Sequence, residues 1–449
     1  MGLTNKVIID FSAAMLQCEA LSKFFADSRD CIRTSEQQLY KINDIALKIS
    51  ELLDTIYANE VGAERSEKLN EIQNALVGEK LHLNDVIDVV LRDTGTLSYT
   101  LMPGFDQKYD PANARNRKKL INNQRMIFEN SILSNIVSIF EMYLANSYEA
   151  LVLNDPKSYF ENKQISISQL FSNEVSQILL QSLNEEIEKN MFDSLKTLDK
   201  INEKSVICVD RYIQIRKEFE EIYYRRNLCI HNNGKVNNLY LNGVDKKYSQ
   251  SLKIGQQISS DDLYLENSIT VLRRIICSLH YEMLIVLKAS GTDFGDLANE
   301  GFVSLSCGEY KTAEHIYGIL RRNTNFEFID KAVYEINYIN ALKQQGKTEY
   351  LELINKLDFS IATDIFKIAK DCLLDNNEKV YNRLTKTYPT SYNAIQIRDW
   401  PLFIDFRKSE FYIKFSEEHA DDFKEFEFQE SIDIIQNLDV IIPISPDNN

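Results

Sequence analysis

The sequence predicts an all-α protein. Only 14 glycines and 7 prolines occur in 449 residues, so few positions favour turns and many long windows can remain helical. Hydrophobic residues make up 44% of the chain, and they recur mainly three or four positions apart, which is the spacing of one helix face. Because 449 residues exceed what one hydrophobic core usually holds, we expect more than one helical domain.

The overall charge restricts the partners that the protein can have. The formal net charge is −16, whereas nonspecific nucleic-acid binding depends mainly on clustered Lys and Arg. Any nucleic acid must therefore meet a local basic patch. The seven cysteines form no CxxC pair, which is typical of reduced thiols. We find no metal-ligand cluster and no apolar run long enough to cross a bilayer, so we expect a cytoplasmic protein without metal or cofactor.

Breaks in the helical pattern divide the chain into five regions. We expect an N-terminal helical region at 1–100, a linker at 101–117, a central helical bundle at 118–290, helical repeats at 291–388, and a helical extension with a tail at 389–449.

The sequence of the N-terminal region predicts two longer helices followed by two short ones. Apolar residues at helical spacing from Phe11 to Phe25 mark the first helix. Thr34 and Gln37 can form a capping box at the start of the second. Its apolar seam favours packing within a bundle over an extended coiled coil. The short helices are expected near Leu69–Leu76 and Val86–Leu91.

A basic run lies at the end of the predicted linker. Pro103, Gly104 and Pro111 interrupt helical structure ahead of it. The run could guide a polyanion, although a solvated linker or the start of a helix would have the same composition. It consists of Arg115, Arg117, Lys118 and Lys119.

Three long helices are predicted in the central bundle. The first carries a wide apolar stripe from Leu133 to Leu151 and ends at Asp155–Pro156. The second runs from about Asp210 to His231, and the last from about Ser260 to Lys288.

The second of these helices carries two different faces near its end. At about 100° per residue, Arg226 lies on the apolar face, while Asn227 and His231 share the polar face. Arg226 and His231 are then roughly 140° apart. They converge only if the helix end unwinds, which the segment Asn232–Gly234 favours, or if a second subunit supplies the complementary residue.

An arginine and a histidine together suit the cleavage of RNA. A neutral His can remove the 2′-hydroxyl proton, Arg can stabilise charge on the phosphorus oxygens, and a protonated His can assist the leaving 5′-oxygen. A homodimer in which two copies of His231 face each other would provide both the acid and the base. The alternative is that His231 only favours the negative end of its helix and that Arg226 pairs with Glu220 or Glu141.

The segment Arg226–His231 resembles the R-x4-6-H signature of HEPN domains, including the polar residue after the arginine. The preceding helix with Phe140-Glu141, and Gly255 ahead of the last helix, extend the resemblance to about residues 118–290. The resemblance implies a helical bundle that dimerises, places both motifs in one cleft and acts as a metal-independent endoribonuclease. Many such proteins are toxins or antiphage effectors.

The resemblance also implies roles for individual residues. By position, Arg226 and His231 are catalytic, Asn227 is a supporting polar residue and Glu141 is a weaker candidate. Arg225 offers an alternative five-residue spacing. We take Arg225, Lys235 and the basic run as candidate substrate contacts, with RNA such as tRNA as the substrate. Because some family members bind nucleotides or partners without cutting RNA, the competing interpretation is a noncatalytic adaptor that dimerises through the bundle.

The region after residue 291 predicts helix–turn–helix units. Two units contain Gly308 and Gly346, which are separated by close to the TPR period, and a third covers Ile365–Leu384. This TPR-like array would bind a protein partner or an activating phage product, or would stabilise the dimer. Trp400 is expected to be a packing anchor rather than a base-stacking platform, and the last residues of the tail from Ile434 to Asn449 are expected to be flexible.

Overall fold

The computed structural model describes residues 2–57, 74, 87–91, 97–101, 111–160, 175–191, 194–203, 209–357, 359 and 363–424. Most of these residues are helical, which confirms the all-α class.

The N-terminus forms one long helix, α1 (Leu3–Tyr57), where two were predicted. Thr34 does not cap a second helix, since its hydroxyl donates to the carbonyl oxygen of Asp30 one turn earlier (2.8 Å). No glycine or proline interrupts this stretch, so the helix continues. The apolar positions predicted between Phe11 and Phe25 are buried, as expected. The helix predicted near Leu69–Leu76 lies outside the described residues, apart from one position.

A short helix predicted at Val86–Leu91 is in fact a strand. Strand β1 (Ile87–Leu91) pairs antiparallel with β2 (Leu97–Leu101). Three of the five residues of β1 are β-branched, and such side chains favour extended backbone. The prediction of a helix there was therefore wrong.

Helix α2 (Pro111–Asn154) begins inside the segment predicted as a linker. Proline is favourable at the first helical position, because its missing N–H would have no helical partner there. The basic run Arg115–Lys119 therefore lies in the first turns of α2, and residues 102–110 lie outside the described residues. The run thus belongs to a helix start rather than to a linker.

The apolar stripe of α2 is buried. A segment of this helix, Asn116–Asn154, meets the length and hydropathy criteria for a membrane span, because an 18-residue window within it has a mean hydropathy of 1.2. This corrects the expectation that no apolar run is long enough. However, 56% of that window is buried inside the protein, as in the core helix of a globular protein. The predicted stripe residues are all buried: Leu133, Ile136, Val137, Phe140, Leu144, Tyr148 and Leu151.

Seven further helices lie in the described residues of the central region. They are α3 (Pro156–Phe160), α4 (Val175–Met191), α5 (Ser194–Asn202), α6 (Val209–Asn232), α7 (Asn238–Gly243), α8 (Lys246–Ser249) and α9 (Asp262–Val286).

Three consecutive helical hairpins follow, as the sequence predicts. They are α10 (Gly295–Ser306) with α11 (Tyr310–Leu320), α12 (Phe328–Gln344) with α13 (Glu349–Lys356), and α14 (Asp364–Leu373) with α15 (Asn377–Thr387).

The same turn joins the two helices of each hairpin. Gly308, Gly346 and Asp375 have positive φ angles of 80°, 70° and 56°. In each turn, the N–H of the following residue donates to the carbonyl oxygen five positions back, at 2.8, 3.1 and 3.0 Å respectively. These bonds satisfy carbonyls at the helix end, as in a Schellman motif.

The extension packs on these hairpins. It consists of α16 (Ala394–Asp399), two 3-10 turns, α17 (Glu410–Glu418) and α18 (Ala420–Lys424). Trp400 is 5% exposed, and its Nε1 donates to Oδ1 of Asn337 in α12 (3.2 Å). It is therefore the predicted anchor. The tail after Ile434 lies outside the described residues.

One hydrophobic core connects the parts of the chain. Helices α1, α2 and α9 pack against one another, and α6 lies against α2 and α9. Helix α11 in turn lies against α9. Most of the buried apolar side chains described from Val7 in α1 to Phe415 in α17 belong to a single cluster, while a smaller cluster near the end of α6 consists of Leu228, Val236, Tyr240 and Val244. The N-terminal helix therefore shares its core with the predicted central bundle.

His280 joins three of these helices at one buried point. Its ring stacks on Phe11 of α1 with centroids 4.0 Å apart, and its Nδ1 lies 3.1 Å from the hydroxyl of Tyr143 in α2. Burial lowers the pKa of His280 to about 3. The imidazole is consequently neutral at pH 7.

Candidate functional site

Helix α6 stays regular beyond both motif residues. It ends at Asn232, and Asn233 and Gly234 follow with φ angles of 51° and 72°. The left-handed cap is thus present, but it begins after His231. Arg226 and His231 therefore lie on different faces of an intact helix. The possibility that an unwound end brings them together is wrong for this structure.

Arg226 is held on the side of α6 that faces α2. Its Nη2 lies 3.5 Å from Oε1 of Glu141, and its Nη1 donates to Oδ1 of Asn227 (3.0 Å). Glu141 also accepts a hydrogen bond from Ser194 (2.9 Å). The guanidinium lies over the ring of Tyr223, 5.5 Å from the centroid. Of the two predicted carboxylate partners, Glu141 is the one found.

The guanidinium of Arg226 keeps donor capacity. Its side chain is 18% exposed although its Nε is buried, so any outside group would have to reach the terminal nitrogens. The contact with Glu141 is long at 3.5 Å. A planar guanidinium held in this way can still bind a phosphate oxygen.

His231 is exposed at the end of α6. Across the part of the chain that the structure describes, its side chain makes no hydrogen bond or ion pair with another residue. The imidazole is therefore available to an outside group. One protomer, however, places no second histidine beside it among the described residues, because His280 and His315 are buried and His419 packs on Tyr388 in the extension.

Cys229 lies inside the motif but does not fit a nucleophile. Burial, together with the charges of Glu129 and Glu221, raises the pKa of its thiol to about 11, and the nearby Arg225 only partly opposes this. The thiol is therefore protonated at neutral pH.

Arg225 is committed to a buried cluster rather than to a cleft. Its Nε donates to Oε1 of Glu221 (2.8 Å), and its Nη1 donates to the carbonyl oxygen of Ser259 (2.9 Å). Tyr240 and Tyr264 donate their hydroxyls to the two oxygens of Glu221, both at 2.6 Å. Burial works against the charged guanidinium, but Tyr264 and Glu221 outweigh it and raise the pKa of Arg225. This geometry does not fit the predicted substrate contact at Arg225 or the alternative five-residue spacing.

The other basic candidates lie in two different places. Lys235 is exposed directly after the cap of α6, where its backbone bridges to Gln257. Lys118 and Lys119 are exposed on the first turns of α2, and Arg117 beside them is half-buried. At 1.5 Å per residue, Lys118 is about 35 Å along α2 from Glu141. The basic run therefore does not reach the Arg226 site of the same protomer.

The cluster around Glu221 was not among the predictions made from the sequence. Glu221 and Arg225 are four residues apart on one helix, a spacing that could have indicated an ion pair. Tyr240 and Tyr264 come from other elements, so nothing local indicated them.

The fold defines an all-α protein in which a helical bundle continues into three helical hairpins. Among the described residues, no group of three or more His, Cys, Asp or Glu side chains could hold a metal ion. No protein-family model, curated protein or solved structure matches this chain.

Proposed function

We propose that the protein is a metal-independent endoribonuclease of the HEPN type. Its active site would be composite, with Arg226, Asn227 and His231 contributed by each of two copies. The observation that carries the proposal is the exposed His231, whose side chain has no partner among the described residues and which lies five residues after an arginine anchored by Glu141 and Asn227.

Two histidines would divide the proton transfers. A neutral His231 removes the proton of the 2′-hydroxyl, and the 2′-oxygen attacks the adjacent phosphorus. The bond between phosphorus and the 5′-oxygen breaks, and a protonated His231 of the second copy gives that oxygen its proton. The products are a 2′,3′-cyclic phosphate and a 5′-hydroxyl. This transesterification consumes no water and needs no metal ion.

Arg226 would stabilise the negative charge that builds up on the phosphorus oxygens. Glu141 and Asn227 keep the guanidinium in place, so they act as positioning residues. Lys235, which is exposed beyond the cap of α6, can contact a neighbouring phosphate.

A second copy is needed because α6 is regular. Arg226 and His231 are roughly 140° apart around the helix axis, so one protomer does not aim both at one phosphate. A two-fold axis near the end of α6 would bring two His231 side chains together.

The biological role would be antiphage defence or a toxin activity in the cytoplasm. The three helical hairpins would then receive a protein partner or a phage product that activates the enzyme. The enzyme would be inactive before this activation, which would explain how a cell tolerates an RNA-cleaving protein.

The proposal is tested with purified protein, labelled tRNA and total RNA in the presence of EDTA. We expect cleavage that leaves 2′,3′-cyclic phosphate ends, and loss of cleavage in His231→Ala and in Arg226→Ala. Arg216→Ala is the matched control for the arginine, since Arg216 is also ion-paired in α6, with Glu220 at 2.9 Å. His419→Ala controls for the loss of a histidine elsewhere. Undiminished cleavage by His231→Ala, or cleavage abolished by EDTA, would overturn the mechanism.

The second candidate is a noncatalytic adaptor that dimerises through the bundle. The three hairpins with one repeated turn favour it, because stacked helix pairs commonly form partner-binding surfaces. Wild-type protein that leaves RNA intact even with its partners present would support the adaptor instead.

A further inference from the structure

A cavity lies on the side of α6 that faces the hairpins, apart from Arg226 and His231. Its volume is about 630 Å³, within the range of small-molecule sites. Helices α6 and α9 form two walls, α11 forms a third, and the turn between α12 and α13 closes one end. The cavity thus spans the junction between the bundle and the first two hairpins.

Arg274 and Lys311 both line this cavity. Arg273 of α9 pairs with Glu309 at the start of α11 (2.5 Å), and Ser278 of α9 hydrogen-bonds His315 of α11 (2.6 Å). The two helices therefore run in the same direction along this contact. Arg274 precedes Ser278 by one turn and Lys311 precedes His315 by one turn, so both cations line the cavity at the same level.

The three carboxylates on the cavity are satisfied by the protein. Glu221 accepts from Arg225 and from two tyrosine hydroxyls. Glu218 accepts from Arg274 (2.9 Å) and from Gln214 (3.3 Å). Glu314 pairs with Lys347 (2.5 Å) and accepts from Gln345 (3.0 Å).

The cations, by contrast, have donors to spare. Lys311 is exposed, and its ammonium makes no hydrogen bond or ion pair within the described residues. The side chain of Arg274 is 18% exposed, and its guanidinium makes an ion pair with Glu218 through Nη2. Lys347 adds a third cation at the end of the cavity. Each carboxylate on the cavity already pairs with a cation, so the positive charge left over is that of Lys311, and it favours an anionic group.

The floor of the cavity is apolar. It is lined by the buried side chains of Ile215, Ile222 and Val271, and by the aromatic side chain of Tyr248. Such a surface suits the organic part of a ligand rather than a bare inorganic ion.

We propose that this cavity binds a small phosphate ester, with the phosphate between Arg274 and Lys311 and the organic part on Ile215, Ile222 and Val271. A phosphate dianion uses the planar fork of an arginine together with a lysine ammonium. The site does not depend on RNA cleavage. Because Glu221 borders both the cavity and Arg225, a bound ester would stabilise the end of α6.

The test measures binding of glucose 6-phosphate and AMP to the full-length protein by calorimetry and thermal shift. Glucose and adenosine are the uncharged counterparts, and citrate is a carboxylate comparison. We expect a phosphate ester to bind and to raise the melting temperature, with no effect of its uncharged counterpart. Lys311→Ala is expected to weaken binding about tenfold, as expected for loss of one charged hydrogen bond.

Two further variants make the result specific. Arg274→Lys keeps the charge beside Glu218 but removes the fork, and it is expected to weaken binding by a similar factor. Lys253→Ala removes an exposed lysine elsewhere and should bind as wild type does. The proposal is overturned if neither ester binds at millimolar concentration, if citrate binds more tightly, or if both cavity variants bind normally. Loss of binding in Arg226→Ala would place the ester at the other site and would also overturn it.

Discussion

Two adjacent arginines have different environments. Arg225 donates to Glu221 inside a buried cluster. Arg226 instead contacts Glu141 of α2, and its Nε has no partner within the described residues. Neighbours in sequence point about 100° apart on a helix, so one faces α9 and the loop before it while the other faces α2. At the residue scale, this difference supports the choice of Arg226 as the motif arginine.

Removing the charge of Glu221 should destabilise the fold strongly. Glu221 is 2% exposed, and Glu221→Gln would leave the buried Arg225 without its carboxylate. We expect a loss of about 3 kcal/mol in the free energy of unfolding, measured by urea denaturation. Glu220→Gln is the control, since its ion pair with Arg216 is more exposed and should cost less than about 1 kcal/mol. Equal effects of the two changes would contradict the structural role of the cluster.

His280 should make stability depend on pH. Its folded pKa is about 3 against an ordinary value of 6.5, so the unfolded chain binds the proton more readily. This contribution to stability is complete above pH 6.5 and is lost as pH falls toward 3, by about 1.4 kcal/mol per pH unit.

The measurement compares urea denaturation of wild type and His280→Gln at pH 7 and at pH 5. The wild type should lose more free energy of unfolding over this interval than the variant. In the wild type, the unfolded state gains a proton on His280, whereas the variant has no group at this position that binds one. Parallel losses in the two proteins would show that His280 is not the group responsible.

At the scale of elements, the end of α6 decides the geometry of the site. Local signals predicted the cap at Asn233–Gly234 and the buried stripe of α2, and both are present. The same kind of reasoning predicted a break in α1 and a helix at Val86–Leu91, and both were wrong. A possible capping residue such as Thr34 does not end a helix when favourable residues continue on both sides.

The cap of α6 can be tested with two glycines. Gly234 has a φ of 72°, and a Cβ there would lie 3.1 Å from the backbone carbonyl oxygen of Ile258 and would displace the Gln257 amide that donates to the carbonyl oxygen of Asn233. Gly234→Ala should therefore lower stability by about 2 kcal/mol and reduce RNA cleavage by disturbing the position of His231. Gly255→Ala shares the positive φ of 81° but has open space, so it should cost about 1 kcal/mol and leave cleavage unchanged. Thermal denaturation measures the stability of the two variants, and RNA cleavage assays measure their activity. A larger loss in Gly255→Ala than in Gly234→Ala would contradict the prediction.

At the scale of the whole molecule, the proposed site requires two copies. If both His231 side chains serve one cleft, a mixed dimer of wild type and His231→Ala is inactive. After subunit exchange of equal amounts, about one quarter of the dimers contain two wild-type chains. Cleavage should then fall to about half of what the same amount of wild type achieves alone. Adding Arg216→Ala instead should not lower cleavage, and an undiminished rate with His231→Ala would show that each protomer acts by itself.

The order of residues along the chain was enough to predict the helical class, the apolar stripe of α2 and the separation of Arg226 from His231 around α6. These follow from helical periodicity, which is a local property of the chain. The tertiary structure decided that Glu141 rather than Glu220 faces Arg226, that Arg225 is enclosed by Glu221, and that α1 shares a core with α2 and α9. Each of these depends on which elements pack together, and residues far apart in sequence carry no local signal of that choice.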